Sequence, residues 1–400
     1  MQLQFLVTAT LFLGAVLSHP VLDADAAAKA TLNNLLSIAK RNQHKTLAQA
    51  HKRFPRSTQC TASNTSVRKE WGALTAAERI AYTDAVLCFQ AKSPLTPTSQ
   101  IPGVRSRYDD FVGTHINQTL TIHYTGTFLA WHRYFLWVYE QSLRNECGYK
   151  GAHPYWNWAL FSNNTEAGPV FDGSATSMSG NGAYVANKGD LVLVLPPYPD
   201  VSLPAGNGGG CVTSGPFKNM TVNLGPVSLP INGGGSITSS GLEYNPRCLV
   251  RDIGTAINNK YSNATAISDL ITKNDDIYWF QTVMQGVPGS GSIGVHGGGH
   301  YTIAGNPGAD TFTSPGDPAF YLHHGMIDRV WWLWQNQDPA KRTNAISGTG
   351  TFLDYPSSPN TTLDTIIDLG FAGNTGYGPI PMRDLMSTVG GPFCYTYDSL

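Results

Sequence analysis

Seven of the eleven histidines in this 400-residue chain fall in two short stretches, 115–132 and 296–324, and that grouping constrains the fold most. An isolated histidine defaults to a structural role, but a cluster demands elements that turn several imidazoles toward one point. The first stretch reads Phe111-Val-Gly-Thr-His115, then Ile122-His123, then Phe128-Leu-Ala-Trp-His132-Arg133. Apolar spacing predicts a helix over 105–116 that ends at His115, a connector carrying His123, and a helix over 128–145 with His132 inside it. The second stretch reads His296-Gly-Gly-Gly-His300, then Asp317-Pro-Ala-Phe-Tyr-Leu-His323-His324-Gly-Met-Ile-Asp328. An i,i+4 pair places two rings on one helix face. Three intervening glycines cost a helix about 1 kcal/mol each, so this turn is expected to be held by a metal and by packing. The stretches echo each other: Phe128 precedes His132 by four residues and Phe320 precedes His324 by four, each ahead of a Trp-bearing helix. Beyond two amphipathic helices with aromatic core faces, the pattern points to two facing three-histidine sites.

Imidazole suits zinc, copper, iron and nickel. No carboxylate lies among the histidines of either triad and no HExxH motif is present, which favours copper and leaves zinc open. The rest of the chain fits a site inside a bundle. Only 13% of residues are charged, 26 Lys+Arg against 27 Asp+Glu, with no basic cluster of the kind nucleic-acid binders carry. With 41% hydrophobic residues the chain can bury a large core. The 42 Gly and 25 Pro then read as long loops around one domain, concentrated in 162–250 with short strands such as Leu191–Leu195. Further helices are expected over 66–92, with Thr75-Ala-Ala-Glu78 as a capping box, and over 266–285 and 318–335. The expected fold is mainly α: a four-helix bundle housing the site, with long loops and a few short strands.

Both ends of the chain suggest export. Residues 5–17 form an apolar run followed by Ser18, too short for the roughly 20 residues of a membrane span, and read as a signal peptide over 1–18. No other stretch approaches a span, so no membrane association is expected. Residues 19–53 carry the dibasic pairs Lys40-Arg41 and Lys52-Arg53 and read as a propeptide or N-terminal extension, with a charged helix face as the alternative; 54–400 is expected to form the one main domain. Glycosylation sequons occur at Asn64, Asn117, Asn163, Asn219, Asn263 and Asn360. Six cysteines without a CxxC pair fit three disulfides in an oxidising, extracellular setting. Closing the termini and local loops favours Cys60–Cys394, Cys88–Cys147 and Cys211–Cys248 among the fifteen pairings.

Phe128-Leu-Ala-Trp-His-Arg-Tyr-Phe-Leu136 and Asp317-Pro-Ala-Phe-Tyr-Leu-His-His-Gly-Met-Ile-Asp-Arg329 resemble the two copper signatures of the tyrosinase/catechol oxidase, or type-3 copper, family. The resemblance runs from about residue 60 to the end and is strongest to short secreted ascomycete enzymes. It implies a dinuclear copper site in which His115, His123 and His132 hold one ion and His296, His300 and His324 the other, with His323 a neighbour. Tyr395-Thr-Tyr397 resembles the motif that closes the family's catalytic domain, and the C-terminal lid domain of longer relatives is expected to be absent. Phe128 and Phe320 would pack on ligand rings, while Arg133 and Asp328 would orient helices or form a plain surface ion pair. The cysteine that many relatives crosslink to the middle ligand is replaced by Thr121. Around the substrate, Gly297 stands where strong monophenol hydroxylases often carry Asn, followed by the bulky Tyr301. Gln285 is the nearest counterpart of the family's water-orienting glutamate, and Thr311 is a small residue over the first copper. The implied activity is oxidation of o-diphenols, and of o-aminophenols, to quinones by O2, with weak monophenol hydroxylation. A true tyrosinase with strong monophenolase activity, a reversible oxygen carrier of the haemocyanin kind and a zinc hydrolase are the alternatives. The implied partners are O2 and small phenols; oligomeric state is left open.

Overall fold

The computed structural model describes residues 20–53, 60–227 and 239–398. The expected signal peptide lies outside the described residues. Helices α1 (Pro20–Arg53), α2 (Ala76–Ala91), α3 (Arg107–Ile122), α4 (Phe128–Cys147), α5 (Thr255–Tyr261), α6 (Ala264–Lys273), α7 (Ile277–Gln285), α8 (Gly294–Ile303) and α9 (Ala319–Gln335) carry the architecture. The strands are short and pair only in twos among the described residues. No helix there is long and apolar enough to cross a membrane.

Two helix pairs, α3/α4 and α8/α9, form the bundle around the histidines, and α4 packs along α9. Every residue of α9 is buried, its Asp328, Arg329 and Gln335 included. Reciprocal capping boxes start α2 (Thr75 with Glu78) and α3 (Ser106 with Asp109). Gly148, at φ 70°, stops α4 in the left-handed conformation that glycine adopts without strain.

Several boundaries differ from the sequence expectation. Residues 66–74 are not α-helical: Ser66–Arg68 pairs in parallel with Tyr395–Tyr397, beside the Cys60–Cys394 disulfide, and Trp71–Ala73 forms one 3-10 turn. Their helix-like spacing arises because Arg68 and Trp71 point into the core from extended and turn backbone. Helix α3 runs on to Ile122, since Thr119 and Ile122 continue its buried face. The 266–285 helix breaks at Asn274, and the Asp276 carboxylate restarts it by accepting from the Tyr278 and Trp279 N–H groups. The strand at Leu191 ends at Leu193. Helices α5 and α8 had no clear signal.

Helix α1 forms where a propeptide or a charged helix face was expected. It buries Leu35, Leu36 and Ala39 in the main core and lies against α6 and α9. The Gln43 amide donates to Thr388 Oγ1 and to the Tyr395 carbonyl, both at 3.0 Å. The other two disulfides join Cys88–Cys147 and Cys211–Cys248, the pairing expected from local loop closure.

Candidate dinuclear metal centre

Helix α3 supplies His115 from its interior and His123 as its C-cap, and α4 supplies His132. His115 thus sits inside a helix and not at its end. Each ring donates from Nδ1 to a backbone carbonyl: Phe312 at 2.8 Å, Thr119 at 2.9 Å and Phe128 at 2.8 Å, respectively. A carbonyl can only accept, so the proton is on Nδ1 and the Nε2 lone pair is free. The Nε2 atoms of His115 and His132 are buried without a hydrogen-bond partner. One ring nitrogen from each of the three residues lies within 4.8 Å of the others. Three desolvated lone pairs aimed at one another are costly unless a cation sits between them, so the donor set fits a metal ion.

In the second cluster the His300 Nε2 lies 3.2 Å from that of His296 and 3.1 Å from that of His324. His323 falls within the same 4.8 Å group. Its ring, however, packs against Trp158, 5.2 Å between centroids, and against the Gly299 backbone. The close Nε2 contacts thus join His296, His300 and His324, while both His323 ring nitrogens are buried without a hydrogen-bond partner. Burial lowers all six ring pKa values, to about 4 at His123 and about 3 at His300, and neighbouring imidazoles add to it at every ring but His123. All six rings are neutral near pH 7, the form that ligates.

The glycine run is helical, and the structure explains why. A Cβ on Gly298 would strike Ser262 and Tyr261 beside α5, and one on Gly299 would strike the His323 ring. Gly297 faces the cavity below, next to Ile293 and Tyr301. Glycine lets α8 approach α5 and α9 closely enough to bring its two rings to the centre.

The two triads face each other. His132 and His324 stack at 4.4 Å between centroids, and His123 lies 5.8 Å from His296. Phe128 packs on His132 and His296, and Phe320 on His324 and His115, so each phenylalanine spans both triads. Behind them Arg133 Nε donates to Asp328 Oδ1 at 2.6 Å, fully buried and not a surface pair. Arg68 Nη1 (3.3 Å), the Tyr395 hydroxyl (2.6 Å) and the Tyr397 hydroxyl all reach Asp328 Oδ2. Glu140 holds the other arm of Arg68 at 2.8 Å. Sequence reasoning missed Arg68 and Glu140. It also missed Arg251, which grips Asp317 bidentately at 2.7 and 2.8 Å at the start of α9. For Glu140 and Arg251 the only signal was a charge next to apolar residues; Arg68, beside Lys69 and Glu70, carried none.

A cavity of about 160 Å³ opens over His123, His296 and His300. Gln285, Gly297, Tyr301 and Thr311, the four residues expected at a substrate site, all line it. Gln285 Oε1 accepts the Tyr124 N–H at 2.7 Å and its Nε2 donates to the Gln281 carbonyl at 3.2 Å, which commits both ends of the amide. Thr121 donates to the Gln118 carbonyl. The lining from Leu193 to Val201, from Val287 to Ile293 and at Phe352 was not foreseen, because it comes from loops without periodicity.

Residues 105–337 match the family model described as the common central domain of tyrosinase. The chain belongs to the tyrosinase family. It is 41% identical over 332 residues to tyrosinase P of Aspergillus terreus, covering 83% of this chain and 91% of that protein. It is 40% identical over 358 residues to an N-acetyl-6-hydroxytryptophan oxidase of Emericella nidulans, covering 85% and 94%. Among solved structures, a polyphenol oxidase from Thermothelomyces thermophila superposes with a TM-score of 0.86 at 44% identity, covering 92% of this chain and 98% of that one. The protein is accordingly a tyrosinase-like polyphenol oxidase, and its two histidine triads are consistent with the dinuclear copper site typical of the family. Membership implies O2 and phenolic substrates.

Proposed function

We propose that this chain is a secreted oxidase that converts o-diphenols, and o-aminophenols, to o-quinones or quinone imines much faster than it hydroxylates monophenols. His115, His123 and His132 hold one copper ion and His296, His300 and His324 the other, with His323 a packing neighbour. The copper pair, when bound, would supply two-electron oxidation of two diphenols for each O2 reduced to two water molecules. The protein's part is to hold six neutral imidazoles by their Nδ1 sides and from behind, and to leave the ring edges of His296 and His300 open to the cavity. The observation that carries the diphenol preference is Gln285. Its neutral amide has both ends engaged, and no carboxylate lines the cavity. A monophenol must lose its proton on docking, and no side chain there is a competent acceptor.

Export is supported by three disulfides and by the exposure of Asn64, Asn117, Asn163, Asn219 and Asn360. Asn263 is the exception as a glycan acceptor, because its side chain caps α6 and donates to the Asn259 carbonyl. Within the 19–53 segment, helix α1 packs as an N-terminal extension ahead of the 54–400 catalytic domain, a reading supported by the burial of Leu35, Leu36 and Ala39.

Oxygen uptake by the copper-loaded protein tests the reading. Catechol should give rapid uptake, and phenol and tyrosine slow uptake after a lag. No uptake on catechol with both coppers bound would overturn the oxidase assignment. Equal initial rates on phenol and catechol would favour the strong monophenolase alternative.

A further inference from the structure

The cavity floor is made of ligand histidines, but its walls are built separately. One wall is a hairpin of Leu191–Leu193 and Val201–Leu203, in register Leu191↔Leu203 and Leu193↔Val201. Leu203 joins Ile257, Tyr261 and Ile293 in a small hydrophobic cluster distinct from the main core, with Leu191, Leu193, Val201 and Tyr301 packed against it. The hairpin is therefore anchored on α5 and α8 through a cluster of its own, apart from the main core. Its tip turns through the Tyr198 N–H to Leu195 carbonyl bond, 2.9 Å, and presents Val194, Leu195, Tyr198 and Pro199 to the cavity. The opposite wall is the 285–293 loop with Phe352. The Tyr198 ring lies against Gly289 of that loop, so the two walls meet across one side of the mouth.

No Asp, Glu, Lys or Arg lines this cavity. Two of its three phenolic groups have protein partners: the Tyr124 hydroxyl donates to the Gln285 and Gly286 carbonyls, and the Tyr301 hydroxyl is hydrogen-bonded to Thr311. The charges at the hairpin base are engaged too, Lys188 with Asp252 and Asp190 with the Ser202 hydroxyl. A charged substituent entering beside the ring would lose water and find no counter-charge. An apolar one would find Leu193, Leu195, Val287 and Ile293.

We propose that the preferred substrate is an uncharged catechol with an apolar substituent on the ring, which lies along the 191–203 hairpin, and that Leu195 and Tyr198 determine this specificity. The proposal rests on the diphenol oxidase reading above. Three catechols with tails of equal reach test it on the copper-loaded enzyme at pH 7: 4-propylcatechol, dopamine, and 3-(3,4-dihydroxyphenyl)propionate. Relative to the propyl compound, KM should rise about tenfold or more for both the ammonium and the carboxylate. Leu195→Lys should raise KM for the propyl compound and lower it for the carboxylate, without helping the ammonium. If either charged tail binds as well as propyl in the unmodified enzyme, or if Leu195→Lys moves all three alike, the hairpin does not read the substituent. Absence of uptake on every catechol would instead refute the oxidase reading itself.

Discussion

Replacing Asp328 with alanine removes the one carboxylate that ties the two halves of the site together. Asp328 lies four residues after His324 on α9, and its partner Arg133 directly follows His132 on α4. The pair therefore clamps one helix of each triad to the other. Burial alone would raise the Asp328 carboxyl, but Arg133, Arg68 and the two tyrosine hydroxyls outweigh it and hold it below the usual carboxylate range. Removing one partner of such a buried pair costs about 3–5 kcal/mol, because the guanidinium left behind is uncompensated. Here Arg133 Nε and the Tyr395 and Tyr397 hydroxyls would all lose their acceptor. With an unfolding entropy near 2 cal/mol/K per residue, a chain of 400 residues should then lose roughly 4–6 °C of Tm. Thermal scans at one matched rate measure this, with copper content determined on the same samples. Because the folded-state pKa is depressed, the Asp328 contribution is fully present above the unfolded value of about 3.9 and disappears only as pH falls through the lower folded value. The gap between the two proteins should therefore be constant from pH 5 to 8 and narrow only in stronger acid. A loss of Tm under about 1 °C at pH 7 would refute the clamp.

His132→Ala and His300→Ala should each retain one copper per chain; metal analysis that finds two in either variant would sink that ligand assignment. Burial pushes the Glu70 carboxyl up from 4.5 to about 7 against the Gly72 and Ala73 N–H groups. The folded state then holds a proton that the unfolded state releases, so stability is greatest below pH 4.5 and falls by about 3 kcal/mol as pH rises through 7. Glu70→Gln should abolish that slope in Tm, and an unchanged slope would exclude Glu70 as its source. Ala39, on α1, is fully buried, so Ala39→Glu should cost several kcal/mol and release the helix. Intact-mass analysis after brief trypsin treatment should show cleavage at Lys40-Arg41 in the variant and protection in the parent.

Helices α4 and α9 were legible in the sequence to within a few residues, as were the capping box and the C-terminal end of α2, whose start was placed ten residues too early. The copper-ligand candidates were legible because histidine spacing survives without any knowledge of the loops. What the sequence hid were contacts between distant segments. Nothing near Arg68 announces that it meets Glu140 and Asp328, separated from it by 72 and 260 residues. The cavity walls were hidden for a related reason, since loop 285–293 and the hairpin tip carry neither period.

Helix α8 shows how a local rule yields to a functional one. Its three glycines weaken it as an isolated helix by about 1 kcal/mol each. A β-carbon at Gly298 or Gly299 would push α8 away from α5 or His323 and carry His296 and His300 off the point where their Nε2 atoms meet His324. Propensity thus argues against a helix at the one place where helix geometry, with rings four residues apart on a close-packed face, is needed to assemble the second triad. The same reasoning gives the glycines different roles: Gly298 and Gly299 set the depth of the metal centre, whereas Gly297 sets the space above it. Gly299→Ala should therefore impair copper retention, and Gly297→Ala should chiefly change substrate KM.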